Sequence, residues 1–300
     1  MVSYNDKITL INYFRSVAER ELCSIVRSTH DYRKQASKIN TVIKDQKDFT
    51  IDEMLQTAHH SRWSNEYVLD CVLHITYASY VVMLEFRNKV WPYEYMAFAR
   101  RIGELWEPFC KETFSYPVKK LRLINPPDFD EVQEDIKRNA SNYINSLSVD
   151  YQTKRLLHYH YSIPWDLVDS GGIQLGLDLH FSQNGINYNC DFKSGFSSNE
   201  KGNTNRLLLV ASIYHFLNQN EKTLLFVRQR EDENNHYFQT LKNSGYWDVF
   251  CADDAYAKMY EFTGFNLRLW LNENASWSDD ISNELYLHLQ NKDLLKYLTW

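Results

Sequence analysis

The chain contains no CxxC pair. Its five cysteines, Cys23, Cys71, Cys110, Cys190 and Cys251, are scattered and odd in number, which argues against a disulfide framework and for a reduced, cytoplasmic protein. The opening residues, MVSYNDKITL, have neither the basic start nor the apolar stretch of a signal peptide. The most apolar segment, VLHITYASYVVML (72–84), is too short and too polar to span a bilayer, so it is expected as a buried helix with no membrane partner. No HNH-like, GxSxG or phosphate-loop pattern is present. That removes several hydrolase and NTPase chemistries and leaves no nucleotide cofactor to expect. Internal repeats and low-complexity tracts are missing too. Histidine offers little metal chemistry: His158-Tyr159-His160 would put two imidazoles on one face of a strand, but no third ligand stands at a recognisable spacing, and His59-His60 cannot face one another on a helix.

What is present is enough hydrophobic material, 44% of 300 residues, to bury a sizeable core in one large domain or two. Ile8, Ile11, Phe14, Val17, Leu22, Ile25 and Val26 recur at helical intervals, and similar stripes run through 65–86 and 93–112. The first part of the chain therefore reads as helical throughout. Pro117 and Pro126-Pro127 flank VKKLRLIN, a connection that puts a domain boundary near residue 125. The net charge of −6 is unevenly spread: residues 1–127 carry 18 Lys and Arg against 15 Asp and Glu, a net of +3, and residues 128–300 carry 15 against 24, a net of −9. Arg27, Arg33, Lys34, Lys38, Lys44 and Lys47 form one candidate phosphate-neutralising patch in the more basic half; Lys119, Lys120 and Arg122 form another.

The chemistry concentrates in GLDLHFSQNGINYNCDFKSG (176–195). Leu175, Leu177, Leu179 and Phe181 alternate with polar residues, as do Ile186, Tyr188, Cys190 and Phe192, and Asn184-Gly185 between them suits a type I′ turn. A two-residue loop makes Gln183 face Ile186, and the same register sets Asp178 directly opposite Asp191. Opposed residues project from one face with Cβ atoms roughly 4.5–5.5 Å apart, and Lys193 shares that face. Two opposed carboxylates call for a compensating cation. Mg²⁺ suits them, since it favours carboxylate oxygens and keeps several waters, and Lys193 beside it could orient a water or neutralise charge on a phosphorane-like transition state. The chemistry expected is phosphodiester hydrolysis.

Asp178 followed by Asp191-Phe192-Lys193 on the next strand resembles the D…(D/E)xK motif of the PD-(D/E)xK nuclease superfamily, and the surroundings are most similar to type II restriction endonucleases. Leu177 stands where the proline of the motif name would be. Asp45-Gln46-Lys47 and Asp135-Ile136-Lys137 also fit the triplet, but in helical stretches where residues i and i+2 do not share a face. The order of elements over 128–264 supports the resemblance: a helix from Phe129 to Leu147, the hairpin, a helix from Leu207 to Leu217, a buried strand TLLFVRQ (223–229), a short helix HYFQTLKNSG (236–245), and a strand and helix in 246–264.

The resemblance implies a mixed α/β, restriction-endonuclease-like core, a central mixed β-sheet flanked by helices, in residues 126–300. Residues 1–125 would be a helical subdomain contributing to DNA binding or dimerisation. Asp178 and Asp191 would hold Mg²⁺ with the backbone carbonyl of Phe192, and Lys193 would assist the water. Glu131 and Glu134 are candidate additional acids, because such nucleases sometimes draw one from the helix before the hairpin. In the loop SGFSSNEKGNTNR (194–206), Ser197, Ser198, Lys201, Asn203, Asn205 and Arg206 are candidate DNA contacts. The expected partner is double-stranded DNA, and cutting both strands of a symmetric site calls for a homodimer. A structure-specific repair or junction-resolving nuclease, and a non-catalytic module in which Asp191 and Lys193 form a structural ion pair, are the alternatives.

Overall fold

The computed structural model describes residues 3–167, 174–197, 200–217 and 220–300. Four long helices come first: α1 (Lys7–Ser28), α2 (Tyr32–Ser61), α3 (Asn65–Val90) and α4 (Tyr95–Ser115). Side chains that occupy orphan backbone donors mark three of their starts. Asp6 accepts from the amides of Ile8 and Thr9, Asp31 from those of Arg33 and Lys34, and Ser64 from that of Tyr67. Helix α3 is apolar around nearly its whole circumference and is buried by α1, α2, α4 and the C-terminal segments. The helix outruns the 72–84 segment and, against the expectation from that segment, is long and apolar enough to cross a membrane; 89% of its most apolar window is nevertheless buried inside the protein, as expected of a buried helix.

The chain then enters a five-stranded sheet through β1 (Arg122–Leu123), passes along α5 (Phe129–Ser146) and α6 (Tyr151–Leu167), and returns as β2 (Leu179–Gln183) and β3 (Ile186–Lys193). There follow α7 (Lys201–Leu217), β4 (Glu221–Val227), α8 (His236–Lys242), β5 (Asp248–Cys251) and α9 (Ala252–Thr263), with Gly264 at φ 77° ending α9. The sheet order is β1-β2-β3-β4-β5. The first three strands run antiparallel, and β3, β4 and β5 run parallel. This is a mixed α/β fold. Three short helices close the chain: α10 (Leu267–Asn274), α11 (Trp277–Asp280) and α12 (Asn283–Asn291).

Side-chain alternation gives the sheet two apolar faces. Leu179, Phe181, Cys190, Phe192, Leu224 and Phe226 join a core that continues through α1–α4, α9 and the C-terminal helices. On the other face Leu225 and Val227 pack against Leu207 and Ala211 of α7 and Phe238 and Leu241 of α8, while α5 covers α7 through Phe129, Val132, Val210 and Tyr214. The core crosses position 125 without a break. Trp106 of α4 packs on Phe192 and its indole N–H donates to the Tyr256 hydroxyl of α9 at 2.8 Å. Residues 151–167 are helical, so His158 and His160 do not share a face; the Nε2 of His158 lies 3.1 Å from the Asn145 side-chain oxygen.

Buried charges tie the C-terminal helices to the N-terminal ones. Arg15 of α1 donates twice to Glu85 of α3, at 2.9 and 2.6 Å, and to the carbonyl of Asp280; Glu85 in turn accepts from the amide of Ser282. Arg15→Met would leave the Glu85 carboxylate, with a side chain only 2% exposed, without its cation and should cost about 2–3 kcal/mol in urea unfolding. Adding Glu85→Gln should restore most of that stability. An unchanged midpoint in the single variant would mean that apolar packing alone holds the C-terminal helices.

Candidate active site

The turn fixes the site. Asn184 and Gly185 adopt the positive φ angles of a type I′ turn, 53° and 81°, and the ladder pairs Gln183 with Ile186, Phe181 with Tyr188 and Leu179 with Cys190. One step further along, Asp178 lies beside β3, where its Oδ2 accepts from the amide of Phe192 at 2.8 Å. The Lys193 Nζ is 3.9 Å from that same oxygen, is hydrogen-bonded to Asp191 Oδ1, and lies 3.2 Å from the Phe192 carbonyl oxygen. Asp178, Asp191, Lys193 and the Phe192 carbonyl thus form one cluster at the carboxyl end of β3. The Phe192 ring points the other way, into the core against Trp106 and Phe226.

Burial separates the two carboxylates. Asp178 is 28% exposed by its side chain and Lys193 19%, whereas Asp191 is wholly buried. Desolvation, opposed by the charge of Lys193 and reinforced by that of Asp178, pushes the Asp191 carboxyl up to about 6. Arg206, at the first turns of α7, brings its Nη2 to 3.5 Å from Asp191 Oδ2. That is an ion pair too long for a good hydrogen bond, and the oxygen has no hydrogen-bond partner. An orphaned buried carboxylate oxygen beside a second carboxylate and a backbone carbonyl is a donor set that fits a hard, oxygen-seeking cation.

A polar relay that the sequence reading missed holds the strand entering Asp178. His180 and Asn189 face each other across the hairpin. The His180 Nε2 accepts from the Leu177 amide at 2.9 Å, and its Nδ1 therefore donates to the Asn189 side-chain oxygen at 2.7 Å. Asn189 donates onward to Glu221 at 2.8 Å, and Asn187 does the same. Burial holds His180 below the ordinary imidazole range, which keeps Nε2 free to accept. The expected register opposes 180 to 189 and was the available signal; the ladder itself ends at Leu179 and Cys190, so Asp178 lies in the bend just before it.

Past Lys193 the parallel pairing continues. The Lys193 and Ser194 carbonyls accept from the amides of Arg228 and Gln229, and the Arg228 guanidinium donates to the Ser194 hydroxyl at 3.0 and 2.9 Å. Helix α4 comes so close here that a Cβ on Gly103 would lie 2.5 Å from that hydroxyl. The helical half of the chain therefore abuts the strand end that carries the charged cluster.

Among the other candidate residues, only Arg206 meets the cluster through a described contact. Ser197 and Asn205 are exposed, as is Lys201 on the first turn of α7, and Asn203 donates to Glu200 at 3.3 Å. Ser198 lies outside the described residues. Glu131 and Glu134 are exposed on α5. Among the described residues no group of three His, Cys, Asp or Glu side chains is gathered closely enough to hold a metal, so neither glutamate joins Asp178 and Asp191 in such a group. Of the basic patches, Lys44 pairs with Asp48, Lys38 donates to the Ser28 hydroxyl and Lys119 to the Glu261 carbonyl. A cavity of about 860 Å³ beyond the ends of β4 and β5 is lined by Glu231, Asp232, Asp253 and Asp254 with Arg230, a charge balance that repels phosphate. No family model matches the chain, and comparison with curated proteins and with solved structures gave no match.

The Asp191 carboxyl titrates higher folded than unfolded, about 6 against an ordinary 3.8. Its contribution to stability is complete below the lower value and lost as pH rises through the higher one. The unfolding free energy of wild type relative to Asp191→Asn should therefore fall between about pH 4 and 6 and then level off. A difference independent of pH would contradict a buried, proton-holding carboxyl facing Lys193, Asp178 and Arg206.

Proposed function

We propose that the protein is a Mg²⁺-dependent endonuclease that hydrolyses phosphodiester bonds at specific sequences in double-stranded DNA, as type II restriction enzymes do. On this reading residues 126–300 build a restriction-endonuclease-like core, residues 1–125 contribute to DNA binding or dimerisation, and the enzyme works as a homodimer in the cytoplasm. One observation carries the reading: the hairpin gathers Asp178, Asp191, the Phe192 carbonyl and Lys193 at one strand end, with a buried Asp191 oxygen left unsatisfied. The helix, hairpin, helix, strand, helix order around it supports the same assignment.

Asp178, Asp191 and the Phe192 carbonyl would hold the Mg²⁺, which when bound supplies Lewis acidity toward a phosphoryl oxygen and a water of lowered pKa. The remaining work belongs to the chain. Phe192 N–H fixes Asp178, and the His180–Asn189–Glu221 relay fixes the backbone before it. Arg206 and Lys193 favour the ionised form of Asp191, against the desolvation that opposes it. The Lys193 ammonium, held beside both carboxylates, places positive charge where a pentavalent phosphorus would accumulate negative charge.

A second reading rests on the same contacts. Lys193 and Arg206 together balance Asp191 and Asp178 without any metal, as a structural ion-pair network would. DNA separates the two. Unmethylated phage-length DNA incubated with wild type in Mg²⁺ should give discrete fragments, and chelator should abolish them. Lys193→Ala should slow cleavage by about 10²-fold or more; it also strips the buried Asp191 of its cation, so its melting temperature should fall and cleavage is compared at a temperature where circular dichroism shows both proteins folded. Intact DNA under every condition, together with a melting temperature indifferent to Mg²⁺, would leave the structural network as the correct account.

A further inference from the structure

A cavity of about 500 Å³ opens between α2, α3 and α4 and is lined by none of the residues of the carboxylate cluster. Its wall includes Arg87, Arg100, Arg101 and Glu104, with Tyr93 and Asn40. Arg87 is only 8% exposed. Its guanidinium lies 4.0 Å from the Tyr93 ring centre and 4.5 Å from that of Trp91 and donates to the Trp91 carbonyl. No carboxylate pairs with it among the described residues. Glu104, the one acid in the wall, is already engaged by Arg100 at 2.7 Å and by Arg101 at 3.6 Å. Burying a guanidinium without a counter-ion costs several kcal/mol, and here a second guanidinium faces the same space.

The rest of the wall adds to the positive charge. Asn40, Tyr93 and Arg101 belong to it; the Arg101 side chain donates to the Tyr93 hydroxyl, and the Arg87 guanidinium lies over the same ring. Neither contact brings a counter-ion. Guanidinium groups gathered in this way with a single carboxylate among them are matched by a ligand that accepts hydrogen bonds and carries negative charge.

We propose that this cavity binds a small phosphate monoester. Three arginines against one glutamate leave two positive charges, which a phosphate dianion neutralises, and the planar guanidinium fork matches its oxygens. Trp91, 37% exposed, and Met96, 73% exposed, stand on the rim and offer an apolar surface to the organic group the phosphate carries. The buried position of Arg87 favours a single terminal phosphate over the backbone of a duplex. The cradle is made of side chains, which is why no glycine-rich loop announces it in the sequence. It shares no residue with the hairpin cluster, so its fate and that of the nuclease reading are independent.

The test is calorimetric titration of the full-length protein with adenosine monophosphate, inorganic phosphate, succinate and a short DNA duplex, repeated with Arg101→Gln and Arg100→Gln. Adenosine monophosphate should bind, and each variant should weaken it by about tenfold. Arg100 is exposed and pairs with the exposed Glu104, so the ligand-free melting temperature of Arg100→Gln should stay near wild type, which separates lost binding from lost folding. Inorganic phosphate binding as tightly as the nucleotide would identify free phosphate as the ligand; weaker binding would identify an organic phosphate ester. No phosphate binding at millimolar concentration, equal binding of succinate, or affinity unchanged in both variants would overturn the proposal. So would Arg101-dependent binding of the duplex alone.

Discussion

A two-residue turn sets where every charged group of the candidate site stands. With Asn184 and Gly185 in positive φ, the hairpin has one register available, and that register brings Asp178 alongside Asp191 while turning the Phe192 ring into the core. A slip of one residue would exchange the faces, setting Asp191 against Trp106 and Phe192 among Lys193, Arg206 and Asp178. Such a slip would part the buried Asp191 carboxyl from its cations and take the Phe192 ring out of its aromatic packing, which holds the register firmly. The arrangement of the candidate site thus follows from ordinary sheet alternation.

The rest of the molecule keeps that strand end rigid. Helix α7 covers the carboxylate face and delivers Arg206; helix α4 covers the opposite face through Trp106 and reaches Ser194 through the gap that Gly103 leaves. The parallel strand β4 extends the ladder past Lys193 through the amides of Arg228 and Gln229. The Arg15–Glu85 pair and its bonds to Asp280 and Ser282 then lock the C-terminal helices onto α1 and α3. Positioning of this kind is what a site needs if its groups must act without reorganising.

Much of this was legible in the sequence because local rules governed it. Alternation and the Asn-Gly pair were enough for the hairpin and its register, whereas Asp178 stands just outside the ladder and reaches the cluster by accepting from the Phe192 amide. The 3.6-residue periodicity marked α1, α3, α4, α5 and α7, and glycine marked the end of α9 at Gly264. What escaped depended on distant pairing. Arg206 was expected among DNA-contacting loop residues, but helix α7 extends back to Lys201 and lays the guanidinium over Asp191. Strand β1 is two residues long, and nothing in VKKLRLIN distinguishes it from a connection until β2 is beside it. The Arg87 cavity is built mostly by one stretch, Arg87 to Glu104 across the connection between α3 and α4, but α2 closes it with Ala36 and Asn40, and that distant pairing is what no local rule announces.

The central claim is that the hairpin cluster is a divalent-metal site. Crystals soaked in Mn²⁺, a stand-in with the same preference for oxygen ligands and a strong anomalous signal, test it without reference to any DNA sequence. The account requires an anomalous peak among Asp178, Asp191 and the Phe192 carbonyl, lost in Asp191→Asn. A peak elsewhere, or none with the Lys193–Asp191 pair intact, would contradict it.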